Sequence, residues 1–256
     1  MIRAARRPAL RALWRSARRA ALAGLVALPL AATAQAEIVS ARYVLPTTRY
    51  AHGVLGDAIE YGGLEMRLRD GRRLRLTLPE TSVFEDLAPR LADLDGDGAP
   101  ELVTVESSAT LGARLAIYDE TGLVAATPHI GRRNRWLAPL GAADLDGDGR
   151  IELAYIDRPH LAKTLRIWRY EKAGKQVRVT EIAVQPGLTN HRIGEDFISG
   201  GIRDCGQGPE IVTANGDWSR VVISRLADGR ITSRDAGRYE NKASLDAALG
   251  CRAAPE

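Results

Sequence analysis

One acidic, glycine-containing pattern occurs twice in this chain and constrains its fold more than any other sequence feature. The pattern Asp-Leu-Asp-Gly-Asp-Gly-x-x-Glu begins at Asp93 and again at Asp144, 51 residues later. We name residues 93–101 loop 1 and residues 144–152 loop 2. Each loop leads directly into an apolar run. A repeat with a period of roughly 20–50 residues indicates a chain built from copies of one supersecondary unit.

The segments around the loops alternate apolar and polar residues with a period of two, which is typical of strands with one buried face. Clear examples are residues 64–68, 73–78, 113–118, 164–168 and 177–180. Turn signals separate them, such as Asp70-Gly71 and Ala227-Asp228-Gly229. Strands and tight turns that alternate in this way predict an all-β chain of antiparallel hairpins.

Two weaker copies of the pattern extend the repeat. Residues 203–212 keep one Asp and the Pro-Glu-aliphatic exit around a shortened loop, and residues 53–60 lack most of the loop. Repeats of this length with four strands each are typical of β-propeller blades. We predict a small β-propeller of about four four-stranded blades, with a five-bladed ring or an open arc as alternatives. Residues 43–45 are expected to form the outer strand of the last blade.

The acidic loops have the chemistry of calcium sites. Calcium takes six to eight oxygen ligands, and glycines permit the tight curve that brings carboxylates together. Four carboxylates this close would repel one another strongly without a cation. Acidic turns that bind no ion are the alternative. The expected ligands of two Ca²⁺ ions are the carboxylates of Asp93, Asp95, Asp97 and Glu101 with the Ala99 carbonyl, and those of Asp144, Asp146, Asp148 and Glu152 with the Arg150 carbonyl.

The flanks and the acid spacing separate these loops from helix-loop-helix calcium sites. Those sites need a bidentate Glu at position twelve, which is Thr104 in the first copy and Tyr155 in the second. The run Asp-Leu-Asp-Gly-Asp-Gly-x-x-Glu-Leu resembles the calcium loop of FG-GAP, or VCBS-type, repeats, over roughly residues 50–225. The resemblance implies a β-propeller like that of the integrin α-chain head, with calcium that mainly rigidifies the loops. It also implies that the two weaker copies bind no metal.

The first 36 residues have the pattern of an export signal. Seven arginines and no acidic residue accompany an apolar run over residues 20–30, and a small-residue stretch ends at Ala36. The apolar run is too short for a membrane span, which needs about 20 residues. We expect cleavage before Glu37, a single mature domain over residues 37–256 with no transmembrane segment, and a periplasmic or secreted location. A mitochondrial-type transit peptide is the alternative.

Removing that leader changes the sign of the net charge. The whole chain has 36 Lys and Arg against 32 Asp and Glu, and without the seven leader arginines the balance becomes 29 to 32. A mature chain with a formal charge of about −3 gives no reason to expect nucleic-acid binding. The two cysteines, Cys205 and Cys251, are expected to form a disulfide in an oxidising compartment, with two free thiols as the alternative.

Polar residues also gather where a strand enters each predicted blade and would line a central channel. Such a set would suit a carbohydrate, an anionic ligand or general acid–base chemistry, and ordinary polar loops at the rim are the alternative. His160 sits alone in a turn-like segment and is predicted to have no role. The candidate channel ligand site consists of His52, Glu85, Arg135, Trp136, His191 and Glu195.

These patterns predict an exported calcium-binding β-propeller that acts as a binding module for a protein or a glycan. A periplasmic enzyme of hydrolase or lyase type, using the channel residues, is the second hypothesis. A structural module of a larger envelope assembly is the third. The sequence contains no nucleophile elbow, phosphate-binding loop or dinucleotide fingerprint.

Overall fold

The computed structural model describes residues 36–252, which form 17 β-strands and one α-helix. All strand pairs are antiparallel, and they belong to three sheets. The all-β prediction is therefore confirmed. The predicted export signal, apart from Ala36, lies outside the described residues.

The first sheet contains eight strands and carries loop 1. Its strands are β1 (Ile38–Thr47), β2 (Glu60–Leu68), β3 (Arg73–Thr77), β4 (Ser82–Phe84), β5 (Arg90–Ala92), β6 (Glu101–Ser108), β7 (Gly112–Asp119) and β8 (Gly122–Ala126). β2 pairs with β1 and β3, while β4 and β5 both pair with β6. β6, β7 and β8 then follow as consecutive hairpins.

The position of β1 corrects the expectation for residues 43–45. β1 pairs with β2 along its length, with Tyr43 opposite Leu64, and it stands at the end of the first sheet. These residues therefore belong to the first unit and do not form the outer strand of the last one. Pairing with the next strand in the chain closes a short loop, which costs less conformational entropy than closing one across the whole domain.

The second and third sheets contain four and five strands. Their strands are β9 (Leu137–Ala143), β10 (Glu152–Asp157), β11 (Thr164–Ala173) and β12 (Gln176–Pro186), then β13 (Leu188–Thr189), β14 (Gly201–Asp204), β15 (Pro209–Asn215), β16 (Arg220–Ala227) and β17 (Arg230–Arg238). The second sheet is the four-stranded meander expected of a blade. In the third sheet β13 and β14 both pair with β15, as β4 and β5 do with β6.

The repeated loops occupy equivalent places in the three sheets. Loop 1 joins β5 to β6, loop 2 joins β9 to β10, and residues 204–210, named loop 3, lead from β14 into β15. One leucine from each of the first two loops is buried in the core. Leu94 packs with Val103 and Tyr170, and Leu145 packs with Leu140. Burying such a side chain stabilises the fold by about 2 kcal/mol. Each buried leucine therefore holds its loop against the core.

The one helix in the described part of the chain, α1 (Lys242–Leu249), was not expected from the sequence. The Asn241 side chain caps it by accepting a hydrogen bond from the backbone N–H of Ala243 at 2.8 Å. Its buried residues Leu245 and Ala248 pack against the third sheet. No helix within residues 36–252 is long and apolar enough to span a membrane.

The predicted cysteine pairing is confirmed. Cys205 in loop 3 and Cys251, just beyond α1, form a disulfide with a Cα–Cα distance of 5.7 Å. The bond spans 46 residues and ties the C-terminal helix to the loop of the third sheet.

Candidate functional site

Loop 1 is held in a tight turn by its own carboxylates. The two oxygens of Asp93 accept the backbone N–H groups of Gly96 at 2.8 Å and Gly98 at 3.0 Å. These glycines have φ values of +77° and +86°, which residues with a side chain rarely adopt. Glu101, the first residue of β6, accepts the N–H of the buried Leu94 at 2.9 Å.

Loop 2 repeats the same hydrogen bonds. Asp144 accepts the N–H groups of Gly147 at 2.8 Å and Gly149 at 2.9 Å. Glu152 accepts the N–H of Leu145 at 2.9 Å. The matched sequence pattern thus folds into a matched loop on the neighbouring sheet.

In each loop the structure brings together the acids at positions one, three and nine. Their carboxylate oxygens lie within 4.8 Å of one another in both clusters. The acids at position five, Asp97 and Asp148, stand outside these clusters and accept the N–H of the residue two positions on, at 2.8 and 3.0 Å. The two clusters are Asp93, Asp95 and Glu101, and Asp144, Asp146 and Glu152.

Burial makes these clusters costly without a cation. It raises the pKa of Glu101 to about 7 and also raises the pKa of Glu152. The Oδ1 atom of Asp146 is buried and has no hydrogen-bond partner among the described residues. A buried carboxylate oxygen without a partner is destabilising, and a bound cation would satisfy it. The donor set therefore fits a hard cation such as calcium.

One strand of the second sheet supplies basic side chains to both loops. From β11, Lys172 reaches across to loop 1, where its ammonium group contacts Asp95 and lies 3.7 Å from Asp97. Arg169, on the same strand, lies 2.6 Å from Asp146 and 2.7 Å from Glu152. Each cluster is therefore partly neutralised by the protein itself.

Loop 3 keeps the turn but only the first and the last of the acids. Gly206 and Gly208 have φ values of +87° and +86°, like the glycines of the first two loops. Its remaining buried acid, Glu210, pairs with Arg203 at 2.6 Å and Arg225 at 2.7 Å. Although burial opposes ionisation, these arginines lower the pKa of Glu210 to about 2.

Most residues of the candidate channel site form one connected cluster. His52 Nδ1 lies 2.5 Å from Glu85 Oε1, and the hydroxyl of Ser107 donates to the other oxygen of Glu85. Trp136 Nε1 donates to the Glu85 carbonyl at 2.9 Å. His191 packs edge-on against the Trp136 ring, with centroids 4.9 Å apart. Four of the predicted residues thus form one cluster, and Glu85 at its centre is fully buried.

The cluster also contains His160, to which the sequence analysis assigned no role. Its Nε2 lies 2.9 Å from Nδ1 of His191, and its ring stacks on Trp136. Burial lowers the pKa of His160 to about 4, with a further contribution from His191 and His52. No sequence pattern identifies this residue, because it lies 31 residues from His191 along the chain and the two residues belong to different sheets.

The last two predicted channel residues contribute differently. The carbonyl of Glu195 lies 3.0 Å from His191 Nε2, while its carboxylate accepts the N–H of Arg192 at 3.1 Å. Arg135 donates to the carbonyl of its neighbour Asn134 at 2.9 Å. The cluster is therefore built from imidazole, indole and carboxyl groups more than from guanidinium groups.

A further buried acid, Glu60, lies in the same region at the start of β2. It closes the weakest copy of the repeat and is 3% exposed. Burial, together with the charges of Glu85, Asp57 and Asp86, raises the pKa of Glu60 to about 9. At neutral pH this carboxyl group therefore keeps its proton.

Comparison with known families supports the interpretation of the loops. Residues 93–155 match the family described as FG-GAP-like repeat. This segment is similar to FG-GAP-like repeats. The match spans loops 1 and 2 and the strands between them, so the resemblance predicted from the sequence is confirmed. With its meandering antiparallel sheets, the chain has the fold class of a repeat β-propeller, while the number of blades stays a prediction.

Comparison with solved structures gives a further similarity. The WD40 domain of SCAP from fission yeast is similar with a TM-score of 0.40 and 12% sequence identity. The similarity covers 82% of this chain and 44% of that chain, so the chain spans less than half of that chain's length. No match is found among the curated proteins.

The protonated Glu60 predicts a pH dependence of stability. The folded chain holds a proton that the unfolded chain releases above a pKa of about 4.5, so this group makes stability fall as pH rises from about 4.5 to about 9. Glu60→Gln keeps the shape and removes the titration. We expect its stability relative to the unchanged chain to rise by at least ~1 kcal/mol between pH 5 and pH 8 in urea unfolding. Equal pH profiles for the two chains would show that Glu60 is ionised in the fold.

Proposed function

We propose that the chain is an exported β-propeller whose loops 1 and 2 each bind one calcium ion, and that it serves as a binding module for a protein or a glycan. The observation that carries the proposal is the pair of matched carboxylate clusters, one on each of two neighbouring sheets. The match of residues 93–155 to FG-GAP-like repeats supports the same conclusion. The two loops also share the hydrogen bonds that the first and the ninth acid accept from the loop backbone.

The ion in each loop would be held by the three clustered carboxylates. The remaining acids, Asp97 and Asp148, and the carbonyls of Ala99 and Arg150 are the further ligands that the sequence pattern proposes. Calcium would supply the positive charge that offsets the buried acids. Because the ninth-position glutamates begin β6 and β10, the ion would hold the start of a central strand, which is a structural role.

Export is proposed from two features that agree. The basic leader with its short apolar run has the pattern of a cleaved signal. The disulfide between Cys205 and Cys251 is of the kind that persists in oxidising compartments. A periplasmic or extracellular location would also provide the calcium concentrations at which sites of moderate affinity fill.

Calcium should raise the thermal stability of the chain. A ligand at a hundredfold excess over its dissociation constant stabilises the native state by about 2.7 kcal/mol per site. For a domain of this size we expect the melting temperature to rise by roughly 10 °C when both sites fill. Asp95→Ala and Asp146→Ala should each remove about half of the rise, and Asp70→Ala, in a turn outside the loops, should remove none. An unchanged melting temperature with calcium and with chelator would refute the proposal.

Lys172 and Arg169 should compete with calcium, because each already occupies one acidic cluster. Replacing Lys172 by Met keeps the aliphatic stem and removes the charge, so calcium should bind loop 1 about tenfold more tightly in a calorimetric titration. Arg169→Met should act in the same way on loop 2. Lys175→Met, in the nearby β11–β12 turn, is the matched control. Weaker calcium binding in the Lys172 variant would instead show that the ammonium group supports the site.

A second candidate function is catalysis or ligand binding at the channel cluster. The specific observation is the connected set of buried groups around Glu85, with His52 partly exposed and able to meet a ligand. A carboxylate that orients an imidazole is a common arrangement for general acid–base chemistry. The cluster combines segments that belong to all three sheets, with His52 and Glu85 from the first, Trp136 from the second and His191 from the third.

Substituting the histidines separates the two functions. If the channel is catalytic, glycosidic hydrolysis of a polysaccharide panel by the purified chain should fall at least about a hundredfold in His52→Ala and His191→Ala with the fold intact. His129→Ala is the control, because that ring binds the Gly112 carbonyl away from the cluster. No turnover in the unchanged chain, with partner binding retained in both variants, would leave the binding module as the sole function.

A further inference from the structure

The third repeat differs from the first two in the charge of the residue that directly precedes the loop. The residue before the first Asp of the loop is Ala92 in loop 1 and Ala143 in loop 2, but it is Arg203 in loop 3. Arg203 stands directly opposite Glu210 in the β14–β15 pairing, where Ala143 stands opposite Glu152 in the second sheet. Loop 3 is also two residues shorter and has Gln207 in place of a carboxylate.

Three guanidinium groups surround the single buried carboxylate of this site. Arg203 and Arg225 bind opposite oxygens of Glu210 at 2.6 and 2.7 Å, and Arg234 from β17 lies 3.4 Å away. One carboxylate cannot neutralise three positive charges. The pKa of Glu210, about 2 despite its burial, keeps that carboxylate ionised, so the excess of two positive charges holds at neutral pH.

The excess charge faces an open cleft. A cavity of about 560 Å³ is lined by all three arginines and by polar groups that can donate hydrogen bonds, among them Gln207 and Thr232. The side chains of Arg225 and Arg234 are 42% and 57% exposed. The hydrogen bonds to Glu210 use one N–H of each group, and a guanidinium carries five. Donors therefore remain for a ligand in the cleft.

Two residues that line the cleft, Arg203 and Cys205, are held in place by other parts of the fold. Arg203 is 8% exposed, and besides Glu210 it donates to the carbonyl of Ala248 near the end of α1. Cys205, which also lines the cavity, is held by its disulfide to Cys251. A site whose charged groups are already ordered loses less entropy when it binds a ligand.

We propose that this cleft binds an oxyanion, a carboxylate, sulfate or phosphate group, between Arg225 and Arg234. Planar guanidinium forks match the paired oxygens of such groups. The third repeat thus differs in charge from the first two, since its buried glutamate is surrounded by arginines and not by further carboxylates. The proposal does not depend on calcium, because none of its residues belongs to loop 1 or loop 2.

Titration of the full purified chain with sodium sulfate, against sodium chloride at equal ionic strength, tests the proposal. We expect saturable binding with a dissociation constant of about 1–10 mM, followed by calorimetry or by NMR shifts of arginine side chains. Arg225→Ala and Arg234→Ala should each weaken it about tenfold. Arg225→Lys should weaken it less, because the charge remains while the fork is lost. Arg220→Ala, on the same strand but paired with Asp235, should change nothing.

A parallel titration with digalacturonate identifies the source of the oxyanion. Tighter binding of the uronate than of sulfate assigns the cleft to the carboxylate of a charged saccharide, and the reverse order assigns it to a free tetrahedral oxyanion. Failure of both anions to saturate above the chloride background would overturn the proposal. So would binding of unchanged strength in the double variant Arg225→Lys, Arg234→Lys, which keeps both charges and loses both guanidinium forks.

Discussion

The structure depends on four buried glutamates that lie at the starts of central strands. Glu60, Glu101, Glu152 and Glu210 are each at most 3% exposed. In the second and third of these, the carboxylate accepts the N–H of the leucine that anchors the loop in the core. Burying an unpaired carboxylate is costly, so every repeat must neutralise this group in some way.

The four glutamates are neutralised in different ways. Glu60 lies near other acids, and burial together with their charges raises its pKa to about 9. Glu101 and Glu152 stand in acidic clusters whose lysine or arginine partner is too weak a counter-charge for the whole set, which leaves room for calcium. Glu210 is overcompensated by arginines, which leaves room for an anion. The same strand position thus lies in one uncharged, two acidic and one basic environment.

The sequence predicts those parts of the molecule that short patterns encode. The acidic loops, the strand-rich fold and the Cys205–Cys251 pair follow from spacing and composition, because adjacent residues determine turns and alternation. Contacts between distant segments carry no such signal. His160 contacts His191 because two different sheets approach each other there. Nothing in the sequence distinguishes Arg203 from an ordinary surface residue, and only the β14–β15 register places it opposite Glu210. The short helix α1 was missed because its buried face is only two or three residues wide.

Counting bound metal is the most direct test of the claim that these glutamates are neutralised in different ways. The purified chain would be saturated with calcium, dialysed at a fixed free concentration and analysed for metal by mass spectrometry. The account predicts two calcium ions per chain, one of which is lost in Glu101→Gln and the other in Glu152→Gln, while Glu210→Gln keeps both. A stoichiometry of zero, or a third ion that depends on Glu210, would contradict it.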